Sequence, residues 1–238
     1  MKFRTLRPMR GALPNNSVGV VMPVSRETPF FRLAFYSVLS FTDYPWAFTV
    51  VANCPDSHLR RFLRPAASNN GVGVIDYSEV NRAASINLAM RHMFTSGGIS
   101  FGCVLPPDVI AEPGWLSSIM AEFTDQPDLA VVAPKTNVVS ACPCHDLYVF
   151  RRRSYLAVGG FDEQLHGGYE DLDFCAKVRA RNERVALDQK TYIHRFAAAD
   201  PFPFAAPADI AMSRQLYETR YPHLRESDAA PVAATAGK

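Results

Sequence analysis

The chain has 238 residues, 48% of them hydrophobic, and its 25 basic and 23 acidic residues leave a formal net charge of +2. This length is sufficient for one large domain with a substantial core. So balanced a charge gives no reason to expect nucleic acid as the main partner, although it leaves room for a local basic patch.

The sequence predicts neither a membrane span nor a secretory signal. Its longest apolar runs, such as SVGVVMPV, are far shorter than the roughly 20 residues that cross a bilayer. The basic start of the chain, residues 1–17, has no apolar h-region of a secretory signal after its basic residues and is expected to be a basic arm. Five unevenly spaced cysteines indicate reduced thiols. Together these features predict a cytoplasmic protein.

Strands and helices alternate from residue 18 to about residue 140. The β-branched run VGVVMPV (18–24) predicts a buried strand, after which Thr28 can cap a helix that begins with Pro29. Further strands are predicted in AFTVVANC, GVGVIDY, ISFGCVL and LAVVAPK, with amphipathic segments between them. Repeated strand–helix–strand units predict parallel strands with right-handed crossovers, and hence a doubly wound α/β domain.

The pattern changes at about residue 141. A strand, a short helix, a glycine turn, a second helix and a last strand follow, and the segment PADIAMSRQLYETRYP predicts a helix that packs back on the domain. Residues 226–238 are small and polar, as expected of a disordered tail. With no linker in between, we expect one domain over residues 18–225, with halves 18–140 and 141–225.

Open α/β sheets bind ligands beyond the carboxyl ends of their strands. This rule points to residues 23–27, 53–56 and 106–108, which follow predicted strands. Asp108, after a double proline, can bind a hard divalent cation, although a turn or helix cap is the commoner role of such an aspartate. His194 ends the last strand; a lone histidine is more often a surface or core residue, but with Asp108 it could hold Mn²⁺ or Mg²⁺.

Three acids, Glu170, Asp171 and Asp173, stand where a loop enters a helix, one residue after a glycine pair. Acids in the first turn of a helix suit its macrodipole, at roughly 0.3–1 kcal/mol each when exposed, and need no catalytic explanation. The glycine pairs at 159–160 and 167–168 permit positive φ and close backbone approach, which favours a nearby ligand. The spacing alone does not decide which acid faces a cleft.

Several other site types are disfavoured. The CPCH segment (142–145) has no second ligand pair, which argues against structural zinc. The arginines at 151–153 predict a solvated strand end, although one of them could face a phosphate. The chain contains no GxGxxG, Walker or GxSxG motif, which weighs against dinucleotide-binding, P-loop and α/β-hydrolase proteins.

In their order along the chain, these motifs resemble those of inverting nucleotide-sugar glycosyltransferases of the family 2 type. VGVVMPVSRE is similar to the family's first strand and donor loop, FTVVANCPDS to its second strand, NRAASINLAM to its asparagine segment, and CVLPPDVIAEPGWLSSI to its metal motif. VFRRRSYLAVGGFDEQLHGGYEDLDFCAKVRARNERVALDQKTYIH resembles the acceptor-side block, which is also similar to that of galactosyl- and polypeptide N-acetylgalactosaminyltransferases. The resemblance covers residues 18–196. It implies a GT-A (Rossmann-like) α/β fold, with a mostly parallel central sheet flanked by helices and an acceptor-side α+β extension.

The resemblance also implies roles for the matched residues. Asp171 would be the general base that deprotonates the acceptor hydroxyl, and Glu170 would help to position the acceptor. A divalent cation, Mn²⁺ or Mg²⁺, would be held by Asp108 and His194. The implied donor-binding residues are Pro23, Ser25, Glu27, Asn53, Asp56, Asn87, Pro107 and Asp108, and the implied acceptor-binding residues are Trp115, Gly160, Gly168, Tyr169 and Glu170.

The implied partners are a nucleotide-diphosphate sugar and an acceptor hydroxyl on a glycan, a lipid-linked sugar, a protein or a modified nucleobase; the oligomeric state is not predicted. The chain departs from the family at Pro106, where a side chain with a ligand atom is usual, and at Ser25, which often is asparagine. The alternative is therefore a catalytically idle nucleotide-sugar-binding protein of the same fold. A nucleotidyltransferase is disfavoured because MPVSRETPF contains no glycine.

Overall fold

Strands and helices alternate in the computed structural model, which describes residues 13–95, 97–137, 147–165, 168–196, 206–224 and 232–233. The strands are β1 (Ser17–Val24), β2 (Trp46–Asn53), β3 (Gly73–Tyr77), β4 (Ile99–Val104), β5 (Val109–Ile110), β6 (Leu129–Thr136), β7 (Tyr148–Arg151), β8 (Arg184–Arg195) and β9 (Val232–Ala233). The helices are α1 (Pro29–Phe41), α2 (Ser57–Asn70), α3 (Arg82–Thr95), α4 (Trp115–Glu122), α5 (Arg152–Val158), α6 (Glu170–Arg179) and α7 (Pro207–Arg220).

The strands form one sheet in the order β3-β2-β1-β4-β7-β6-β8-β5, with β9 paired to β8. Strand β1 runs parallel to β2 and β4, and β2 runs parallel to β3. Strand β7 is antiparallel to both β4 and β6, and β6 is parallel to β8. The carboxyl ends of β1 to β4, β6 and β8 therefore lie at the same edge of the sheet, and the predicted mostly parallel α/β sheet is confirmed. Both predicted halves contribute strands to it.

Both faces of the sheet are covered, which explains why its central strands are apolar throughout. On β1, Val20 and Met22 belong to the core that includes α1, α2 and α4, whereas Val21 belongs to the core beneath α3 and α6. All eight residues of β1 are buried. The layers are thus helix, sheet and helix, as the alternating elements predict.

Local signals set the helix ends. The Thr28 hydroxyl accepts a hydrogen bond from the Phe31 amide at 3.0 Å and caps α1, as predicted. Helix α2 forms in one of the predicted amphipathic segments and continues through Pro65 to Asn70. Its buried side chains on both sides of the proline offset the hydrogen bond that the proline removes. Gly71, with φ of 69°, ends the helix in the left-handed conformation.

Further predictions concern the CPCH segment and the two ends of the chain. The CPCH segment and residues 1–12 of the basic arm lie outside the described residues. In the predicted tail, Val232–Ala233 pair with Ala186 and Leu187 of β8.

In the described ranges Cys54, Cys103 and Cys175 are free thiols, and burial raises the pKa of Cys103. No helix in these ranges has the length and hydrophobicity to cross a bilayer.

Candidate active site

Buried polar side chains gather where the parallel strands end. Ser25 follows β1, Asn53 ends β2, and Asp108 follows β4; they are 5%, 1% and 6% exposed. The Asn53 Oδ1 atom is buried and has no hydrogen-bond partner in the described part of the protein. Leaving a buried amide oxygen without a donor costs about 1–3 kcal/mol, so this atom marks a place where a ligand N–H or O–H would be stabilising.

The other predicted donor residues of the first two strand ends have structural partners. Asp56 Oδ1 accepts a hydrogen bond from the Leu59 amide at 2.7 Å and caps α2. Glu27 is half-buried and pairs with Arg32 of α1. Pro23 is buried within β1, and Pro107 is buried in the turn that follows β4.

Asn87 is directed toward the acceptor block rather than the edge of β2. Its Nδ2 donates to the Phe161 carbonyl at 2.8 Å and to Glu163 Oε1 at 2.9 Å. Its Oδ1 accepts from the Tyr155 hydroxyl at 2.7 Å and from the Phe161 amide at 3.0 Å. Four hydrogen bonds fill the capacity of one amide, so Asn87 fastens the glycine turn of the acceptor block to α3 in this conformation.

Gly160 is required beside this amide. Its φ is 83°, and a Cβ atom there would lie 2.9 Å from Asn87 Oδ1. The close backbone approach predicted at the first glycine pair is therefore an approach of the Gly160 backbone to the Asn87 side chain of the same chain, and not to a ligand. Gly168, with φ of 125°, has open space at the Cβ position, and Tyr169 is half-buried with its ring 5.5 Å from that of Tyr217.

Trp115, an expected acceptor contact, lies in the core. It begins α4, is 2% exposed, and donates its indole N–H to the Thr42 hydroxyl at 3.1 Å. A buried indole with a satisfied N–H explains this tryptophan through packing.

Asp108 pairs with Arg195 rather than with His194. Arg195 Nε and Nη2 each lie 3.3 Å from Asp108 Oδ1, and Nη2 is also 3.3 Å from Oδ2. Neighbouring residues of a strand point to opposite faces; Arg195 is 6% exposed, whereas His194 is exposed with its ring 5.2 Å from that of Phe196. The structure thus does not bring together the two predicted metal ligands.

These residues do not fit a site for Mn²⁺ or Mg²⁺ of the expected kind. Hard cations take several oxygen ligands. Pro106 provides no ligand atom through its side chain, and both oxygens of Asp108 are bonded to a guanidinium. Across the described ranges there is no group of three or more His, Cys, Asp or Glu side chains that could hold a metal ion.

The three acids at the start of α6 are all buried, unlike the exposed acids of a macrodipole interaction. Glu170, 0% exposed, forms an ion pair with Arg82 at the start of α3. Asp171, 1% exposed, accepts a hydrogen bond from the Leu172 amide at 2.8 Å through Oδ1. Glu170 therefore links two helices through one carboxylate oxygen, and its Oε2 atom is buried without a hydrogen-bond partner in the described part of the chain.

Asp173 ties α7 to the acceptor block. It accepts a hydrogen bond from the Tyr221 hydroxyl at 2.9 Å and pairs with Lys177 at 2.6 Å and with Arg220 at 3.4 Å. Burial and the Asp173 carboxylate raise the pKa of Tyr221. Arg220 also pairs with Asp162 in the glycine turn; there burial alone would raise the aspartate pKa, but hydrogen bonds from Gln164 and Arg220 lower it. The predicted packing of α7 on the domain is thus fastened by charged groups.

Sequence reasoning missed the basic partners of the acids. Arg82, Arg195 and Arg220 each pair with a carboxylate of the candidate site. A signal existed only for Arg195, which directly follows the singled-out histidine at the end of β8. Arg82 and Arg220 lie in predicted helices, and the apolar pattern of a helix indicates its packing face but not the partners of its charged residues.

Comparison with known proteins is consistent with this geometry. No protein-family model matches the chain. The pre-mycofactocin glycosyltransferase of Mycobacterium tuberculosis is 29% identical over 152 residues, a match that takes in 47% of this chain and 32% of the relative. The chain thus corresponds to about a third of that protein's length.

Solved structures share the fold at low sequence identity. The mannosyltransferase PcManGT of Pyrobaculum calidifontis, in complex with GDP-Man and Mn²⁺, is 16% identical with a TM-score of 0.66, covering 94% of this chain and 75% of its own. S. aureus TarS residues 1–349 in complex with UDP-GlcNAc is 14% identical with a TM-score of 0.67, covering 90% and 69%. GalNAc-T7 with UDP, GalNAc and Mn²⁺ is 10% identical with a TM-score of 0.69, covering 91% and 52%. The chain therefore has the GT-A glycosyltransferase fold that its motifs predict.

Proposed function

We propose that this chain transfers a sugar from a nucleotide-diphosphate sugar to an acceptor hydroxyl, with inversion at the anomeric carbon. The observation that carries the proposal is the buried Asn53 Oδ1 without a partner at the carboxyl edge of β2. The amide oxygen would accept a hydrogen bond from the base or ribose of the nucleotide. Ser25 and Asp56, at the same edge, complete the proposed donor side.

Asp171 is the proposed general base. In an inverting displacement the acceptor oxygen bonds to the anomeric carbon on the face opposite the leaving nucleotide, and its proton must go to a base. A positioned carboxylate in this role contributes typically 10²–10⁴-fold in rate. Glu170, held by Arg82, fixes the first turn of α6 on which Asp171 stands, so we assign Glu170 a positioning role.

The leaving diphosphate needs positive charge beside it. The Mn²⁺ named for two of the structural neighbours supports a divalent cation in this fold. In this chain, however, the expected ligands Asp108 and His194 are apart and Asp108 is bound to Arg195. We therefore derive no step through a metal ion.

The test is Asp171→Asn against Asp128→Asn. Asp128 is a matched control because it precedes β6, at the opposite edge of the sheet, and is exposed. Donor consumption is measured over a panel of UDP-, GDP- and dTDP-sugars, with water and with hydroxyl acceptors that include glycans, lipid-linked sugars, proteins and modified nucleobases. We expect Asp171→Asn to lower turnover by about 10²–10⁴-fold while nucleotide binding and the melting temperature match those of the control. Normal turnover in Asp171→Asn would refute the assignment of the base.

A catalytically idle nucleotide-sugar-binding protein is the second candidate, and Pro106 is the observation in its favour. Calorimetry with nucleoside diphosphates separates the two functions. Nucleotide binding without turnover of any donor in the panel would favour the idle protein.

A further inference from the structure

Arg195 lies where the family resemblance places a divalent cation. It ends β8, and the carboxyl end of β8 reaches the same edge of the sheet as those of β1 to β4. Its guanidinium meets both oxygens of Asp108, the residue that corresponds to the family's metal ligand. A permanent positive charge is therefore built into this position.

The backbone of Arg195 is fixed on both sides. Its amide donates to Asn137 Oδ1 at 2.6 Å, and Asn137 Nδ2 donates to its carbonyl at 2.8 Å. The next amide, that of Phe196, donates to the Asp108 carbonyl at 2.8 Å. These bonds hold Arg195 and Asp108 side by side whether or not their side chains touch. The guanidinium can change its partner without any movement of the strand.

The chemistry of the pair suits a diphosphate. A guanidinium presents a planar fork of donors that matches phosphate oxygens, and in nearly dry surroundings each such contact is stronger than in water. The side chains of Arg195 and Asp108 are 7% and 9% exposed. Their separations of 3.3 Å exceed the roughly 2.7–2.9 Å of a tight charge-assisted hydrogen bond. A diphosphate carries more negative charge than one carboxylate and can compete for this arginine.

We propose that Arg195 is the cation that binds the donor diphosphate, taking the place of a divalent metal ion, and that Asp108 holds the arginine until the donor arrives. This inference rests on the proposed function, because it requires a nucleoside diphosphate at this edge of the sheet. It reverses the role of Asp108, which becomes a competitor of the diphosphate for Arg195 instead of a metal ligand.

Three substitutions separate the arginine from the metal. Arg195→Met removes the charge with similar length, Arg195→Lys keeps the charge without the planar fork, and Asp108→Asn removes the competing carboxylate. Arg214→Met is the matched control, because Arg214 is exposed on α7 and pairs with Glu218 of the same helix. Melting temperatures show which variants fold; if Arg195→Met does not, Arg195→Lys and Asp108→Asn carry the test.

The experiment is calorimetric titration with UDP, GDP and their nucleosides, in EDTA and in Mn²⁺. We expect nucleoside diphosphate binding in EDTA to equal that in Mn²⁺. We expect it to weaken by about 10–100-fold in Arg195→Met, to recover partly in Arg195→Lys, and to be retained or tightened in Asp108→Asn. Nucleoside binding and the Arg214→Met variant should be unchanged.

Two results would overturn the inference. Binding that requires Mn²⁺ and disappears in Asp108→Asn would restore the metal and leave the proposed function standing. Failure of every nucleoside and nucleoside diphosphate to bind under either condition would contradict the proposed donor site as well. The two failures are distinguishable because only the second removes binding in the presence of Mn²⁺.

Discussion

The family resemblance implies that Asn87 binds the donor, whereas its hydrogen bonds indicate that it holds the glycine turn to α3. Replacing Asn87 with alanine distinguishes these two roles. The substitution removes hydrogen bonds to the Phe161 amide, the Phe161 carbonyl and the Tyr155 hydroxyl, all in a buried setting. At about 1 kcal/mol for each bond, the free energy of unfolding should fall by about 3 kcal/mol. The fourth partner, Glu163, has a side chain 48% exposed, so water can replace that bond.

Urea unfolding measures this loss. For a chain of this size about 3 kcal/mol corresponds to roughly 6–12 °C in melting temperature, with a lower urea midpoint and an unchanged slope. Asn70→Ala is the control, because Asn70 gives one bond, to the Ala66 carbonyl at the end of α2, and should cost about 1 kcal/mol or less. A loss in Asn87→Ala no larger than in the control, together with about tenfold weaker nucleotide binding, would refute the structural role and restore the donor role.

Two further predictions concern buried groups of the same region. Glu170→Gln and Arg82→Met should each cost about 3–5 kcal/mol in urea unfolding because each removes one partner of a buried ion pair, and the double variant should cost clearly less than their sum; additive costs would contradict the pairing. Burial raises the pKa of Tyr155, so the folded protein keeps a proton that the unfolded chain loses above about pH 10, and the free energy of unfolding should fall as pH rises beyond that value. Tyr155→Phe should flatten this alkaline slope relative to Tyr192→Phe, which alters an exposed side chain; equal slopes would contradict it.

The fold could be predicted because its signals are local. The apolar run of β1, the Thr28 cap with Pro29 and the order of the strands all depend on residues that are near in sequence. The order of the motifs was enough to identify the GT-A fold. The two-residue strands β5 and β9 were missed because pairing with β8, and no local pattern, defines them.

The positions of the strand-end residues could be predicted, but their pairings could not. The strand-end rule predicted that Asn53 and Asp108 lie where β2 and β4 end, and the structure has them there. Their partners are set by contacts across long stretches of chain, 87 residues between Arg195 and Asp108 and 88 between Arg82 and Glu170. At the end of β8, moving one residue along the strand reverses the face, so the sequence could not decide whether His194 or Arg195 would turn toward Asp108.

The central claim, inverting transfer with Asp171 as the base, is tested most directly by the anomeric configuration of the product. The reaction of any donor in the panel that the protein consumes should be followed by proton NMR. The anomeric signal of the released or transferred sugar has to be recorded before the two anomers equilibrate in solution. We predict a configuration opposite to that of the donor sugar, with product formation lost in Asp171→Asn and kept in Asp128→Asn. A product that retains the donor's configuration, or one formed equally fast by Asp171→Asn, would contradict the mechanism.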